Sequence, residues 1–229
     1  MCRTALGNVE FYHFISAEIK SNMFIFLHGG EAVIIDPHYQ SSALNLLQKN
    51  KIKKTFILLT HEHPDHTYGL PYLKDFLDCT IVCHTQADLF ISAKENNRPL
   101  LITFILAQQD EMFGSHLVKD FMETYREYAY HADITFDTEY TFHWNNTIFH
   151  FISTPGHSPG SCCILINDEL IVTGDSLLSE YPVITRFPGG STKDYQEKTL
   201  PYLKSLNKEL IVLPGHGKIC KLSEILQGE

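Results

Sequence analysis

Basic residues are the scarce class in this chain. Lys and Arg total 18 against 27 Asp and Glu, a net charge of -9 with histidine neutral. A polyanion selects a basic face, so DNA or RNA is not an expected partner. Long apolar runs are also lacking. No stretch of about 18 residues would span a bilayer, so no membrane partner is expected. The start, Met1-Cys2-Arg3-Thr4-Ala5-Leu6-Gly7-Asn8, has no basic segment followed by an apolar one and does not read as a signal peptide. The six cysteines (Cys2, Cys79, Cys83, Cys162, Cys163, Cys220) form no Cys-x-x-Cys pair. They are expected to be reduced, mostly buried thiols of a cytoplasmic protein. No low-complexity linker divides the chain, so a single domain over 1–229 is expected.

Histidine, by contrast, is plentiful, with 13 in 229 residues. Three of the first interest lie in Thr60-His61-Glu62-His63-Pro64-Asp65-His66, directly after the apolar run Thr55 to Leu59. That run reads as a buried strand, and Pro64 suits the first position of a helix. His61 and His63 are two apart and face the same way in extended backbone. Asp65 and His66, at the helix start, point elsewhere. One loop can therefore serve two metal ions.

Strands are predicted at 9–16, 22–27, 32–35, 55–59, 80–83, 133–136, 139–144, 147–153, 162–166, 170–173 and 209–213, from β-branched and aromatic content. His28-Gly29-Gly30-Glu31, Asn145-Asn146 and Asn167-Asp168 read as hairpin turns. Helices are predicted at 41–50, 70–77, 85–95, from Ser191 (an N-cap with Asp194 three residues on) to about 206, and at 221–227. Residues 98–131 are expected to be helical and to form an insert or lid. This order predicts two sheets packed together with helices outside. Candidate ligands follow strand ends at 36, 61–66, 157, 175 and 216, where sites are commonly built. His157, Asp175 and His216 are each preceded by glycine, in Pro155-Gly156-His157, Gly174-Asp175 and Pro214-Gly215-His216. Glycine allows close backbone approach or positive φ.

Four segments together resemble the successive motifs of the metallo-β-lactamase-fold hydrolases. They are Thr60 to His66, Thr154-Pro155-Gly156-His157-Ser158-Pro159-Gly160-Ser161, Gly174-Asp175-Ser176-Leu177 and Pro214-Gly215-His216-Gly217. The resemblance spans residues 22 to 217 and implies an α+β fold, the αβ/βα four-layer sandwich, with metals on one rim. It implies that His61, His63 and His157 hold one ion, that Asp65, His66 and His216 hold the other, and that Asp175 bridges them. Asp36 matches the family's early Asp that supports the site from behind. Zinc is the default for imidazole and carboxylate ligands, with iron and manganese as alternatives. Hydroxide bridging two zinc ions would attack the substrate, with Asp65 orienting it and moving its proton.

The resemblance also sorts the branches. β-Lactamases of this fold are secreted and usually carry Arg at the position of His66. Nuclease members carry added domains, and flavin-linked members an acid at the position of His63. The Asp175 and Arg186-Phe187-Pro188-Gly189-Gly190 segments look like the glyoxalase II-like branch. The short stretch after His216 argues against glutathione thioesters. The expected function is therefore hydrolysis of a small-molecule ester, thioester or lactone. A mononuclear iron persulfide dioxygenase using His61, His157 and Asp175, a phosphodiester hydrolase, and an inactive binding module are the alternatives. Arg186 and Tyr181 are the candidate substrate contacts, and a homodimer is open. His13, His28, His38, His84, His116, His131, His143 and His150 match no motif and read as surface or core. Cys162 and Cys163 read as core.

Overall fold

The computed structural model describes residues 2–97 and 99–226, and of Leu101 the backbone alone. Met1, Arg98 and 227–229 lie outside the described residues, and with them the first residue of the expected insert and the last of the expected final helix.

Among the described residues, thirteen strands form two mixed sheets. The first runs in spatial order through β1 (Cys2–Leu6), β2 (Val9–Ile15), β3 (Asn22–His28), β4 (Glu31–Ile35), β5 (Lys54–Leu58), β6 (Asp78–His84) and β7 (Ile134–Phe136). It is antiparallel up to β4 and parallel from β4 to β7. The second contains β8 (Glu139–Trp144), β9 (Thr147–Ser153), β10 (Cys162–Ile166), β11 (Leu170–Gly174), β12 (Ile211–Pro214) and β13 (Cys220–Lys221). It is antiparallel except where β11 meets β12.

The central strands are buried on both faces, because alternate side chains enter different cores. Phe24, Phe26, Val33, Ile35 and Leu58 point between the sheets, where they meet Phe149, Phe151, Ile164, Val172 and Leu213. Their neighbours Met23, Ile25, Ile34 and Ile57 pack outward on the first sheet. There they meet helices α1 (Ser41–Lys49), α2 (Pro64–Thr67), α3 (Leu70–Lys74), α4 (Thr85–Ile91), α5 (Leu100–Phe113) and α6 (Leu117–Thr124) through Leu47, Thr67's neighbour Tyr68, Leu73, Ala87, Leu106 and Phe121. Outside the second sheet, Cys163, Ile171 and Val212 meet Leu203 and Leu222. These come from α8 (Leu200–Ser205) and α9 (Leu222–Leu226). The expected four-layer αβ/βα sandwich is what forms.

Local chemistry accounts for the turns. Gly29 and Gly30 both take positive φ between β3 and β4, as do Asn167 and Asp168 between β10 and β11, which is what a two-residue hairpin of the tighter type requires. Ser191 Oγ accepts from Asp194 N at 3.1 Å and starts a helical run. That run comprises α7 (Thr192–Asp194), a π-helical turn Tyr195–Thr199, and α8. Strands β1 and β13 were not predicted. Both lie on sheet edges, where half-exposed polar sequences pair without a strong apolar pattern.

Within 98–131, helix covers only α5 and α6. Residues past Thr124 instead dock on α4 and on the first sheet, with Tyr130 N donating to Ile91 O at the end of α4 and Asp133 N to Ile81 O in β6. Phe121 packs on Tyr68, and the Tyr128 hydroxyl hydrogen-bonds Thr67, the last residue of α2. This segment thus leans on the helix that begins at Pro64. Among the described residues no helix is long and apolar enough to cross a membrane.

His38 is buried in the loop after β4, stacked on Tyr68, with its Nε2 lacking a hydrogen-bond partner. Burial pushes its pKa down to about 3. The unfolded chain therefore takes up this proton first as pH falls below about 6.5. Stability is lost from there down towards the folded pKa, at up to about 1.4 kcal/mol per pH unit. Chemical unfolding of the metal-free protein should show His38→Phe to be less acid-sensitive than the wild type between these limits. Equal slopes would remove His38 from that account.

Candidate metal centre

Asp36 follows β4 with φ +52 and is buried. Its Oδ1 accepts from Thr60 N at 2.8 Å. Its Oδ2 accepts from Thr60 Oγ1 at 2.6 Å and faces His66 Nδ1 at 3.1 Å. Thr60 has one hydroxyl proton, and Asp36 takes it. The Thr60 oxygen can then only accept from His61 Nδ1, 3.0 Å away. His61 and His66 thus each carry a proton on Nδ1, and Nε2 is the nitrogen of each ring that can ligate a metal. On the other side of the site, His157 Nδ1 donates to Ile184 O at 2.8 Å, so that its Nε2 too is the ligating nitrogen.

The chain turns sharply at His63, the N-cap of α2, with Pro64 as the first helical residue. This sets Asp65 and His66 on the far side of His61 from His157, with the His66 ring 4.3 Å from that of His61. Two groups result. His61, His63 and His157 form one, and Asp65, His66 and His216 the other, with the ligand atoms of each within 4.8 Å of one another. In the first, His63 Nδ1 and His157 Nε2 stand 2.9 Å apart. In the second, His216 Nε2 lies 3.1 Å from Asp65 Oδ2 and 3.3 Å from His66 Nε2. Asp175 lies between the groups. Its Oδ2 is 3.6 Å from His157 Nε2 and 3.7 Å from His216 Nε2, and its Oδ1 is 3.6 Å from His66 Nε2. Asp36 also clusters with His61 and His66, but its oxygens are already occupied by the hydrogen bonds that orient Thr60 and His66.

The sandwich explains the convergence. Asp36 and the 60–66 loop follow the parallel strands β4 and β5, and Asp175 and His216 follow the parallel pair β11 and β12. His157 leaves β9, which runs with β11 because both are antiparallel to β10. All five loops therefore share one rim. Gly174 takes φ +49 and packs on Thr60, and Gly215 packs on Asp175, with no room for a Cβ at either position.

Burial dominates the electrostatics. It holds His61 well below the ordinary histidine value and takes His63 down to about 4. Burial also opposes charge on His66 and His216, but facing carboxylates outweigh it. Asp65 raises His66, and Asp175 raises His216. Burial likewise opposes ionisation of Asp65, and His66 and His216 overcome it, so its pKa falls well below the usual carboxylate range.

The donor set suits a divalent cation. Neutral imidazoles and carboxylates are its ordinary ligands, and donors around zinc stand roughly 3.4 Å apart at a metal–ligand distance of about 2.1 Å. The spacings above match this. Two buried atoms, His61 Nε2 and Asp175 Oδ1, have no hydrogen-bond partner. Each faces the place where such an ion would sit, and buried polar atoms are rarely left unsatisfied.

The two residues expected to meet substrate are not members of these ligand groups. Tyr181 and Arg186 are exposed, and Arg186 makes no ion pair among the described residues. The residue between Arg186 and Pro188 does reach the site. The Phe187 ring lies edge-on to His63 and to His157, at 5.9 Å from each. The sequence signal for it was an aromatic residue inside the turn-rich run 186–190, in the same loop as Arg186. Cys162 and Cys163 are buried core residues.

Residues 18–216 match a family model described as the metallo-beta-lactamase superfamily. A probable metallo-hydrolase of Streptococcus pyogenes is 27% identical over 213 residues, covering 91% of this chain and 84% of that protein. A hydroxyacylglutathione hydrolase of Haemophilus ducreyi is 26% identical over 194 residues, covering 82% of this chain and 62% of the relative. Among solved structures, the BLEG-1 B3 metallo-beta-lactamase aligns with a TM-score of 0.72 at 24% identity, covering 95% of this chain and 96% of that one.

If Asp36 sets the tautomers of His61 and His66, Asp36→Asn should weaken divalent-metal binding by about 10–100-fold, the usual effect of losing a carboxylate behind a metal-bound histidine. Chelator competition on the folded variant measures this. Unchanged affinity would show that packing alone orients the rings.

Proposed function

The chain belongs to the metallo-β-lactamase superfamily, and from that premise we propose that it is a metal-dependent hydrolase of a small-molecule ester, thioester or lactone. The observation that carries this reading is the meeting of two three-residue groups at Asp175, with His61 Nε2 and Asp175 Oδ1 buried and unpartnered. Divalent metal binding follows from the family. The finer assignment is ours: two zinc ions, one held by His61, His63 and His157 and one by Asp65, His66 and His216, with Asp175 shared. Ions held there supply Lewis acidity and a water acidic enough to ionise near neutral pH.

The chain's own residues set the conditions for that chemistry. His61 and His63 stay neutral in the folded protein, so no proton competes for their ring nitrogens near pH 7. Asp36 and Ile184 O keep three of the rings in the tautomer that presents Nε2 inward. Asp65 is 14% exposed along its side chain and ionised, so it can accept and return a proton at Oδ2. Phe187 supplies an apolar wall beside His63 and His157, which favours an uncharged acyl group on that side and keeps bulk water from it.

The thioester option draws on the likeness to a hydroxyacylglutathione hydrolase. The substrate is a small molecule in this reading, and no nucleic acid or membrane takes part. The protein is placed in the cytoplasm, in keeping with its reduced cysteines.

Metal analysis of protein expressed without added metal should give two zinc ions per chain. A panel of ester, thioester, lactone and phosphodiester substrates should then show turnover that chelation abolishes. His63→Ala and Asp65→Ala should each lower that turnover by about 10³-fold or more while the fold persists. One iron per chain with oxygen uptake on a persulfide would overturn the hydrolase reading. So would metal content and rates that survive both substitutions.

A further inference from the structure

The centre is assembled across two sheets, and Asp36 orients only the side that belongs to the first. Its hydrogen bonds go to Thr60 and His66. His157 and His216 stand on loops of the second sheet. Two buried polar side chains of the first sheet reach across to those loops, one to each.

Glu62 lies between His61 and His63, so its side chain points away from theirs. It is 4% exposed. Its Oε2 accepts from Ser158 Oγ at 3.0 Å, and its carboxylate also takes the Gly160 N–H. Ser158 has spent its proton on Glu62, so its oxygen accepts from Ser161 Oγ at 2.8 Å. Ser161 Oγ in turn accepts from Ser158 N at 3.1 Å, and Ser161 O from Thr154 N at 2.8 Å. The carboxylate thus closes the 154–161 loop that carries His157. An exposed acid would not need this arrangement, and a buried one is unfavourable unless its oxygens are paired.

Asn22 opens β3 and is 1% exposed. Its Nδ2 donates to Pro214 O at 2.8 Å and to Gly217 O at 3.0 Å, and its backbone N donates to Gly215 O at 2.7 Å. These carbonyls bracket His216 on both sides. The amide is oriented by His13 Nε2, 2.8 Å from its Oδ1.

We propose that Glu62 and Asn22 are positioning residues, each serving one half of the centre: Glu62 fixes His157 for the His61 and His63 group, and Asn22 fixes His216 for the Asp65 and His66 group. The inference rests on the two-ion reading above. Neither side chain belongs to either ligand group. Each removes the freedom of one ligand of three, so its loss weakens one ion and spares the other.

The test is zinc titration of the metal-free protein against a chromogenic chelator, with melting temperatures measured alongside. Glu62→Ala should weaken one of two bound ions by about 10–100-fold and leave the other within about threefold, as should Asn22→Ala. Double variants assign the ions. Glu62→Ala should add nothing to His157→Ala but should still weaken the first ion in His216→Ala, and Asn22→Ala should show the reverse pattern. Glu62→Gln, which keeps an acceptor for Ser158, should recover most of the affinity. Should an alanine variant fail to fold, Ser158→Ala breaks the Glu62 connection at its other end, and His13→Ala removes the partner that orients the Asn22 amide. Variants that melt lower yet bind both ions as the wild type does would overturn the proposal and leave the hydrolase reading standing. So would equal weakening of both ions. A wild type that takes up fewer than two ions would overturn the two-ion reading and this inference with it.

Discussion

The structure depends on one buried carboxylate. Asp36 has no water to solvate it, and a charge so placed is tolerated only when its oxygens are fully hydrogen-bonded. The Thr60 backbone, the Thr60 hydroxyl and His66 Nδ1 meet that need. Satisfying one acid thereby folds the 60–66 loop back onto the end of β4. It also decides which nitrogen of each ring carries the proton. Which nitrogen each of these rings turns to the centre is a consequence of where those protons are.

The sandwich makes this local device useful. Each sheet alone brings only part of the ligand set to its rim. The aromatic and aliphatic core between the sheets, with Phe24, Phe26, Phe149 and Phe151 at its centre, holds the two rims at a fixed separation. Interiors packed this densely transmit small shifts. Asn22 and Glu62 then tie individual loops across the seam. In this view the first sheet is the frame, and the loops of the second are brought to it.

That the 60–66 motif, His157, Asp175, His216 and Asp36 converge on one rim was legible in sequence, because ligand-type residues recur just after strand ends and glycines mark the loops. The eleven predicted strands and the hairpin turns were legible for a similar reason: apolar runs and positive-φ residues are local signals. Other features were not. β1 and β13 lie on sheet edges with weak apolar patterning. The extended course of 125–133 is set by backbone hydrogen bonds to Ile81 and Ile91, far along the chain. Phe187 carries no ligand-type signal in sequence, and only the course of the loop brings its ring to the histidines.

The sequence by itself determined the fold class and the identity of the groups that converge, since periodicity and ligand type are written residue by residue. Only the tertiary structure decided how they are held. A glutamate between two histidines and an asparagine at a strand start carry no local sign of burial. Their roles come from what the second sheet places opposite them, and that depends on the packing of the two sheets.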